Sequence, residues 1–230
     1  MKKFQLLLLG LLLFSSVSAQ LRIYTTSEYS FMLQGADVTN AQNQKVHNII
    51  RFSGFFNAAE YVHIDFGKFF GIGIGGGIHN IGFISSSDSV KLKRRTYSTF
   101  VPVFFKFGNM KKRIYMYAGA QYDILFNFKQ KTFINDEKTE KFNEWFSRRT
   151  PRFIPSVFVG IQLPLGINIR ATYMLHNFFN PGYTTASGSR PYEAYNARVF
   201  YLTLALNFRN HKESFARNRK ADRRSTAFTR

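Results

Sequence analysis

The chain has no cysteine and only 13 acidic residues against 32 basic ones. Past its first twenty residues it also lacks any apolar run approaching the roughly 20 residues that a membrane-spanning helix needs. Without cysteine there are no disulfide staples, so a large folded core or a lipid environment must supply stability. The shortage of acids leaves a formal charge of +19, which first suggests a nucleic-acid partner. With 45% hydrophobic and 17% aromatic residues the chain is neither disordered nor collagen-like. Its 27 Phe, 12 Tyr and 16 Gly stand where a coiled coil would use Ala, Glu and Leu. A length of 230 residues allows one domain, or at most two small ones.

The N-terminus argues against the nucleic-acid reading. Met1-Lys2-Lys3 is a short basic start, Leu6 to Phe14 is apolar apart from Gly10, and Ser15 to Ala19 supplies small residues. That three-part pattern predicts a secretory signal over residues 1–19, cleaved after Ala19. An exported protein meets little nucleic acid, so no nucleic-acid partner is expected.

What is abundant is alternation. Residues 197–208 set Phe200, Leu202, Leu204, Leu206 and Phe208 against Tyr201, Thr203, Ala205 and Asn207, a period of two that marks a strand with one apolar face. The same pattern recurs over 167–178, 153–163, 114–128, 97–107, 70–83 and 49–66, and more weakly over 21–32. Short turns are expected near Gly67-Lys68, Gly108 to Lys112 and Pro164 to Gly166, and longer polar loops over 33–47, 85–95, 130–150 and 179–195. Alternation of short and long connections predicts an all-β fold, an eight-stranded antiparallel up-and-down transmembrane β-barrel over residues 20–209. Both ends then lie on the short-turn side. The stretch from Arg209 to Arg230, with eight Lys or Arg against Glu213 and Asp222, reads as a basic, disordered periplasmic tail over 210–230, available to an envelope protein partner or to anionic headgroups.

Aromatic residues gather near the strand ends: Tyr61 and Phe66, Tyr97 and Phe107, Tyr115 and Phe126, Phe153, Phe178-Phe179, Phe200 and Phe208. Such rings favour membrane interfaces. A soluble lipocalin-like barrel would turn the apolar face inward, and pattern alone does not tell inside from outside. The polar face, with Arg51, Asp65, Lys106, Asp123 and Arg170, suits a paired interior, which places lipid outside and outer-membrane lipid as the solvent.

Several stretches carry a resemblance: Arg51-Phe52-Ser53 through His63-Ile64-Asp65-Phe66-Gly67, Gly77 to Phe83, Lys131-Thr132-Phe133 with Glu144-Trp145-Phe146, Pro155 to Gln162, Asn177-Phe178-Phe179 and Arg190-Pro191-Tyr192. Through them the chain resembles the small eight-stranded, porin-like outer-membrane β-barrel proteins of Bacteroidota. The resemblance implies a fold and an outer-membrane location, and no particular activity. The final strand also resembles the signal read by the outer-membrane insertion machinery, although Thr203 stands where Gly is common and residues follow Phe208.

Eight strands enclose a space that side chains can fill. The predicted interior charge network comprises Glu28, Arg51, His63, Asp65, His79, Lys106, Asp123 and Arg170. His63 and Asp65 share a face, yet spacing singles out no nucleophile; His176 and Glu193 are the candidate partners for a rim enzyme. Glu60 has the parity of lipid-facing Val62, which a bulge near Asn57 to Ala59 would correct. Glycines 71, 73, 75, 76 and 77 alternate with Ile72 and Ile74 and lead into no helix, so they are no phosphate loop and leave room for large inward neighbours. The histidines are scattered, and no metal site or cofactor is expected. The basic clusters Lys91, Lys93, Arg94, Arg95 and Arg148, Arg149, Arg152 suit phosphates of an anionic surface glycolipid, and the 136–149 segment suits a lid. The expected role is non-enzymatic: structural, surface-interaction or accessory to an envelope complex. A lipid-modifying enzyme and a narrow small-solute channel are the alternatives.

Overall fold

The computed structural model describes residues 21–40, 42, 44–87, 89–210 and 214–215. The expected signal segment, and the tail apart from Asn210 and Ser214–Phe215, lie outside the described residues. The strands are β1 Leu21–Thr39, β2 His47–Ile49, β3 Arg51–Ser53, β4 Ala58–Phe66, β5 Phe70–Ser87, β6 Val90–Asn109, β7 Ile114–Ile134, β8 Glu137–Trp145, β9 Phe153–Gln162, β10 Ile167–Met174, β11 Asn196–Arg209 and β12 Ser214–Phe215.

Eight of these make a closed antiparallel ring in the order β1, β4, β5, β6, β7, β9, β10, β11, with β11 pairing back onto β1. Following paired inward positions around the wall leads from Tyr24 through His63, Gly73, Phe104, Gly119, Phe158, Thr172 and Tyr201 to Gln34, ten residues further along β1. A stagger of that size requires strands tilted by about 40° to the barrel axis. Tight connections after β4, β6 and β9, together with Leu21 and Arg209, mark one end. Gly67 and Gly166 adopt φ of 77° and 87° in the first and last of these turns.

The alternation separates two environments. Outward rows such as Leu202, Leu204, Leu206 and Phe208 are about half exposed, while Tyr201, Thr203, Ala205 and Asn207 are buried. The apolar face is therefore the outer one, the reverse of a lipocalin. The inward glycines of β5 accommodate bulk from their neighbours: a Cβ on Gly73 would stand 2.2 Å from Cζ of Phe104.

Three expectations need correction. Residues 33–39, 85–87, 90–95 and much of 130–150 are strand rather than loop, because β1, β5, β6 and β7 continue outward and β8 folds back on β7 through Asn135 and Asp136, both at positive φ. The single strand expected over 49–66 is divided: β3 pairs with β1, β2 pairs with β5, and only β4 bridges both. Glu60 stays exposed on the outward face beside Val62; the irregularity at residues 54–57 lies beyond it and does not turn it inward.

The aromatic residues divide likewise. Phe66, Phe107, Phe153, Phe200 and Phe208 are outward, whereas Tyr61 and Tyr115 point into the lumen and Phe178 and Phe179 are fully buried. The last two, carried by the 175–195 connection, plug the wide-loop end, packing with Met32, Ile81, Phe83, Phe128, Ile154 and Met174 in an apolar core inside the barrel. Sequence periodicity reports which face a strand residue occupies, and says nothing of a connection that folds back into the lumen.

Candidate functional site

Below the apolar plug the lumen is polar and built in layers. Asp123 accepts from Ser156 Oγ at 2.8 Å and from Gln121 Nε2 at 3.0 Å, and lies 2.7 Å from His79 Nε2. His79 stacks on Phe100 with centroids 4.3 Å apart. Next, Arg170 donates to Glu28 Oε1 at 2.9 Å and to the Tyr61 hydroxyl at 2.8 Å. At the short-turn end Lys106 donates to Asp65 at 2.5 Å and lies 3.3 Å from His63 Nδ1, while His63 Nε2 meets Thr26 Oγ1 at 2.8 Å. Seven of the eight residues expected inside are thus buried in three separate clusters.

Arg51 sits apart and is half-buried. It spans the divided wall, donating to Gln34 Oε1 at 2.8 Å and to Asn80 Oδ1 at 2.9 Å. Gln34 donates to the Asn80 carbonyl at 2.7 Å and accepts from the Gly82 N–H at 2.7 Å, and Asn57 Oδ1 accepts from Asn80 N at 3.1 Å. These side chains take over hydrogen bonding where β4 ends and the backbone ladder between β1 and β5 is missing. Nothing in strand periodicity marks Gln34, Asn57 and Asn80 for that role.

The arrangement is poor for catalysis and for passage. Ser156 donates to the carboxylate of Asp123 and not to the imidazole, so no Ser–His pair is set up. Between the Glu28–Arg170 and His63 clusters there remains a cavity of only about 10 Å³, lined by Tyr61, Phe104 and Tyr117, enough for a single water. At the rim His176 is exposed and Glu193 is held by Arg190 at 3.3 Å, with no bond joining His176 to Glu193. Among the described residues no cluster of potential ligands could hold a metal ion.

Beyond the barrel the β6–β7–β8 extension is strongly polarised. Tyr97, Phe126 and Trp145 form a row across the three strands, with centroids 6.5 and 6.1 Å apart. One step further out Arg95 opposes Lys129; then Lys93 opposes Lys131, which opposes Lys141. Lys91 and Lys138 extend the same face on either side of Phe133. Like charges directly opposed destabilise a sheet. Among the described residues the only ion pair these cations make is Lys91 with Asp136, at 2.5 Å. Burial, and then the surrounding cations, hold the ammonium groups of Lys129 and Lys131 below the ordinary lysine pKa. Lys131, Lys138 and Lys141 lie in the stretch expected as loop and Lys129 just before it; strand pairing aligns them with Lys93 and Arg95.

Arg94, grouped with these by sequence, faces the opposite way and is 7% exposed. Arg149 is also drawn inward, donating to Glu144 at 3.0 Å. Burial works to lower its pKa, but its hydrogen bonds to Tyr192 and Glu144 together with the electrostatic effect of Tyr192 and Tyr183 raise it. Arg148 is exposed, though away from the lysine rows in chain and pairing. The expected lid is a hairpin strand: Phe142 packs on the plug, and Trp145 and Phe146 are exposed. Of the tail, Ser214 and Phe215 pair with Ile23 and Arg22 of β1; the partner expected for its basic residues falls outside the described residues.

No protein-family model matches the chain, and a search of curated proteins found no match. Among solved structures it is similar to small outer-membrane β-barrel proteins. The attachment invasion locus protein Ail of Yersinia pestis, solved in complex with the heparin analogue sucrose octasulfate, gives a TM-score of 0.37 at 13% identity, over 80% of this chain and 99% of that one. Neisserial surface protein A gives 0.38 at 9% identity, over 80% and 95%. The outer membrane protein OprG of Pseudomonas aeruginosa gives 0.34 at 9% identity, over 84% and 97%.

Proposed function

We propose that the protein is a non-enzymatic, non-conducting outer-membrane barrel with a structural and surface-interaction role, which holds phosphates of an anionic glycolipid against the outward face of its β6–β7–β8 extension. The observation that carries this reading is the ladder Lys93–Lys131–Lys141 with Arg95–Lys129, one step beyond the aromatic row Tyr97–Phe126–Trp145. Aromatic rows mark the membrane interface, so the ladder stands at headgroup height. Cations without counterions there are relieved by phosphate oxygens. The packed lumen argues against a channel, and the serine bonded to a carboxylate argues against an esterase-like site.

The test is native mass spectrometry of the protein extracted in mild detergent. The wild type is expected to retain a phosphorylated glycolipid, and a Lys93→Gln, Lys131→Gln, Lys141→Gln variant to lose most of it. Equal retention of the dephosphorylated lipid would overturn the assignment.

A further inference from the structure

The inner side of the same hairpin forms a second feature, independent of the lipid-facing ladder. Between β8 and the 175–195 connection lies a cleft of about 640 Å³. Arg94 lines it as a buried guanidinium, donating from Nε to Gln130 at 3.1 Å and from NH1 to Ser85 at 3.2 Å, with the rings of Phe179 and Tyr195 at 5.1 and 5.4 Å. Every one of these partners is neutral, and among the described residues no carboxylate pairs with it. A buried cation without a counter-charge is costly, and the cost is removed by an anion arriving from outside.

The rest of the cleft limits what that anion is attached to. Arg149 lies between the rings of Phe142 and Tyr183, at 4.7 and 4.8 Å, and donates to Glu144 and, at 3.4 Å, to the Tyr192 hydroxyl. Glu140 and the amide of Asn143 supply further polar edges. Ring faces beside the paired carboxylate of Glu144, the carboxylate of Glu140 and an amide match a sugar, which has apolar C–H faces and hydroxyl edges that both donate and accept. A bare phosphate would leave the aromatic wall unused, and a neutral sugar would leave Arg94 uncompensated. The volume lies within the range of small-molecule sites, roughly 300 to 1,000 Å³.

We infer that this cleft binds an acidic saccharide, with the carboxylate or sulfate of one sugar on Arg94 and a ring against the Phe142, Tyr192 and Tyr195 wall. The sugar belongs either to the cell's own surface glycolipid or to a free polysaccharide, and the recognition chemistry is the same for both.

The experiment uses the full protein in nanodiscs of zwitterionic lipid and follows binding of an oligogalacturonide trimer by saturation-transfer NMR, against the same trimer as its methyl ester. The acid is expected to bind at least tenfold more tightly than the ester, Arg94→Gln to lose that preference, and Arg94→Lys to keep part of it. Heat-modifiable gel migration reports that each variant is folded, and Lys111→Gln, at an exposed site on the short-turn end, leaves trimer binding unchanged. Should Arg94→Gln unfold, Tyr195→Ala is expected to weaken the acid and the ester alike. Equal affinity for acid and ester, or no binding of either, overturns the inference. Repeating the titration in nanodiscs that contain the cell's own glycolipid separates the sources: competition assigns the cleft to that glycolipid, and unchanged binding to a free polysaccharide.

Discussion

Lys106 and Asp65 form a fully buried ion pair at 2.5 Å across an intervening strand, and the residue between them is Gly71. Asp65 pairs with Gly71 on one side and Lys106 pairs with it on the other, so the two charged side chains reach over a position with no side chain. A Cβ there would stand 2.7 Å from Asp65 Oδ1 and 2.8 Å from Lys106 Cε. The glycine is thus part of the ion pair's geometry.

Breaking this pair from one side should be worse than removing it whole. Lys106→Met leaves a buried carboxylate without its cation, a loss of about 3 to 5 kcal/mol. The double variant Lys106→Met, Asp65→Leu should recover much of that, and Gly71→Val should approach the single variant by forcing the pair apart. Urea unfolding of the barrel from lipid vesicles measures all three; equal stability of the single and double variants would contradict an ion-pair role.

The ladder should respond to pH. Lys129 and Lys131 have lowered pKa values in the folded protein, so without an anion their protonation opposes the hairpin, and its stability rises as pH climbs through the folded pKa toward the unfolded one. A bound phosphate reverses the sign by favouring the charged forms. Phosphoglycolipid affinity should therefore fall as pH rises, with a midpoint below the ordinary lysine value of 10.5. A pH titration of lipid binding to nanodisc-held protein tests this, and a flat profile up to the ordinary lysine range would exclude these two amines.

At the divided wall Gln34 satisfies three polar groups at once. Gln34→Leu strands the Gly82 N–H and part of Arg51, each unsatisfied group costing about 1 to 3 kcal/mol. The expected result is a lower unfolding midpoint together with faster proteolysis between residues 40 and 57. An unchanged cleavage rate would mean that β2 and β3 hold the wall without the side-chain stitch.

The fold was legible wherever a strand is half in lipid, because a period of two there records two solvents. Leu202, Leu204 and Leu206 against Tyr201 and Thr203 reveal the wall directly. Once strands leave the membrane the outer solvent becomes water, both faces accept polar residues, and the outer ends of β5, β6 and β7 and all of β8 read as loop. The same loss of contrast hid the basic ladder, whose members are brought together by register across three strands. It also hid the opposite orientations of Arg94 and its neighbour Arg95, which only a defined strand separates. Phe178 and Phe179 were misread for a different reason: burial by a returning connection is long-range and leaves no local period.

The lumen is sealed twice in series, which makes its closure testable in stages. The outer seal is apolar, with Phe178 and Phe179 packed among Phe83, Phe128 and Met174; the inner one is the polar stack of three layers, around Asp123, Arg170 and Lys106. The wild type should show no discrete steps in a planar bilayer. Phe178→Ala with Phe179→Ala should cost several kcal/mol, each Phe→Ala change in a core typically losing about 3 to 5, yet still conduct nothing because the lower layers remain. Adding Tyr61→Ala and Phe104→Ala opens only the middle polar layer, so the His79–Asp123 and Lys106–Asp65 layers on either side should still prevent discrete steps. Steps in the wild type would refute the sealed lumen, and steps in the double variant alone would show that the apolar plug is the sole barrier.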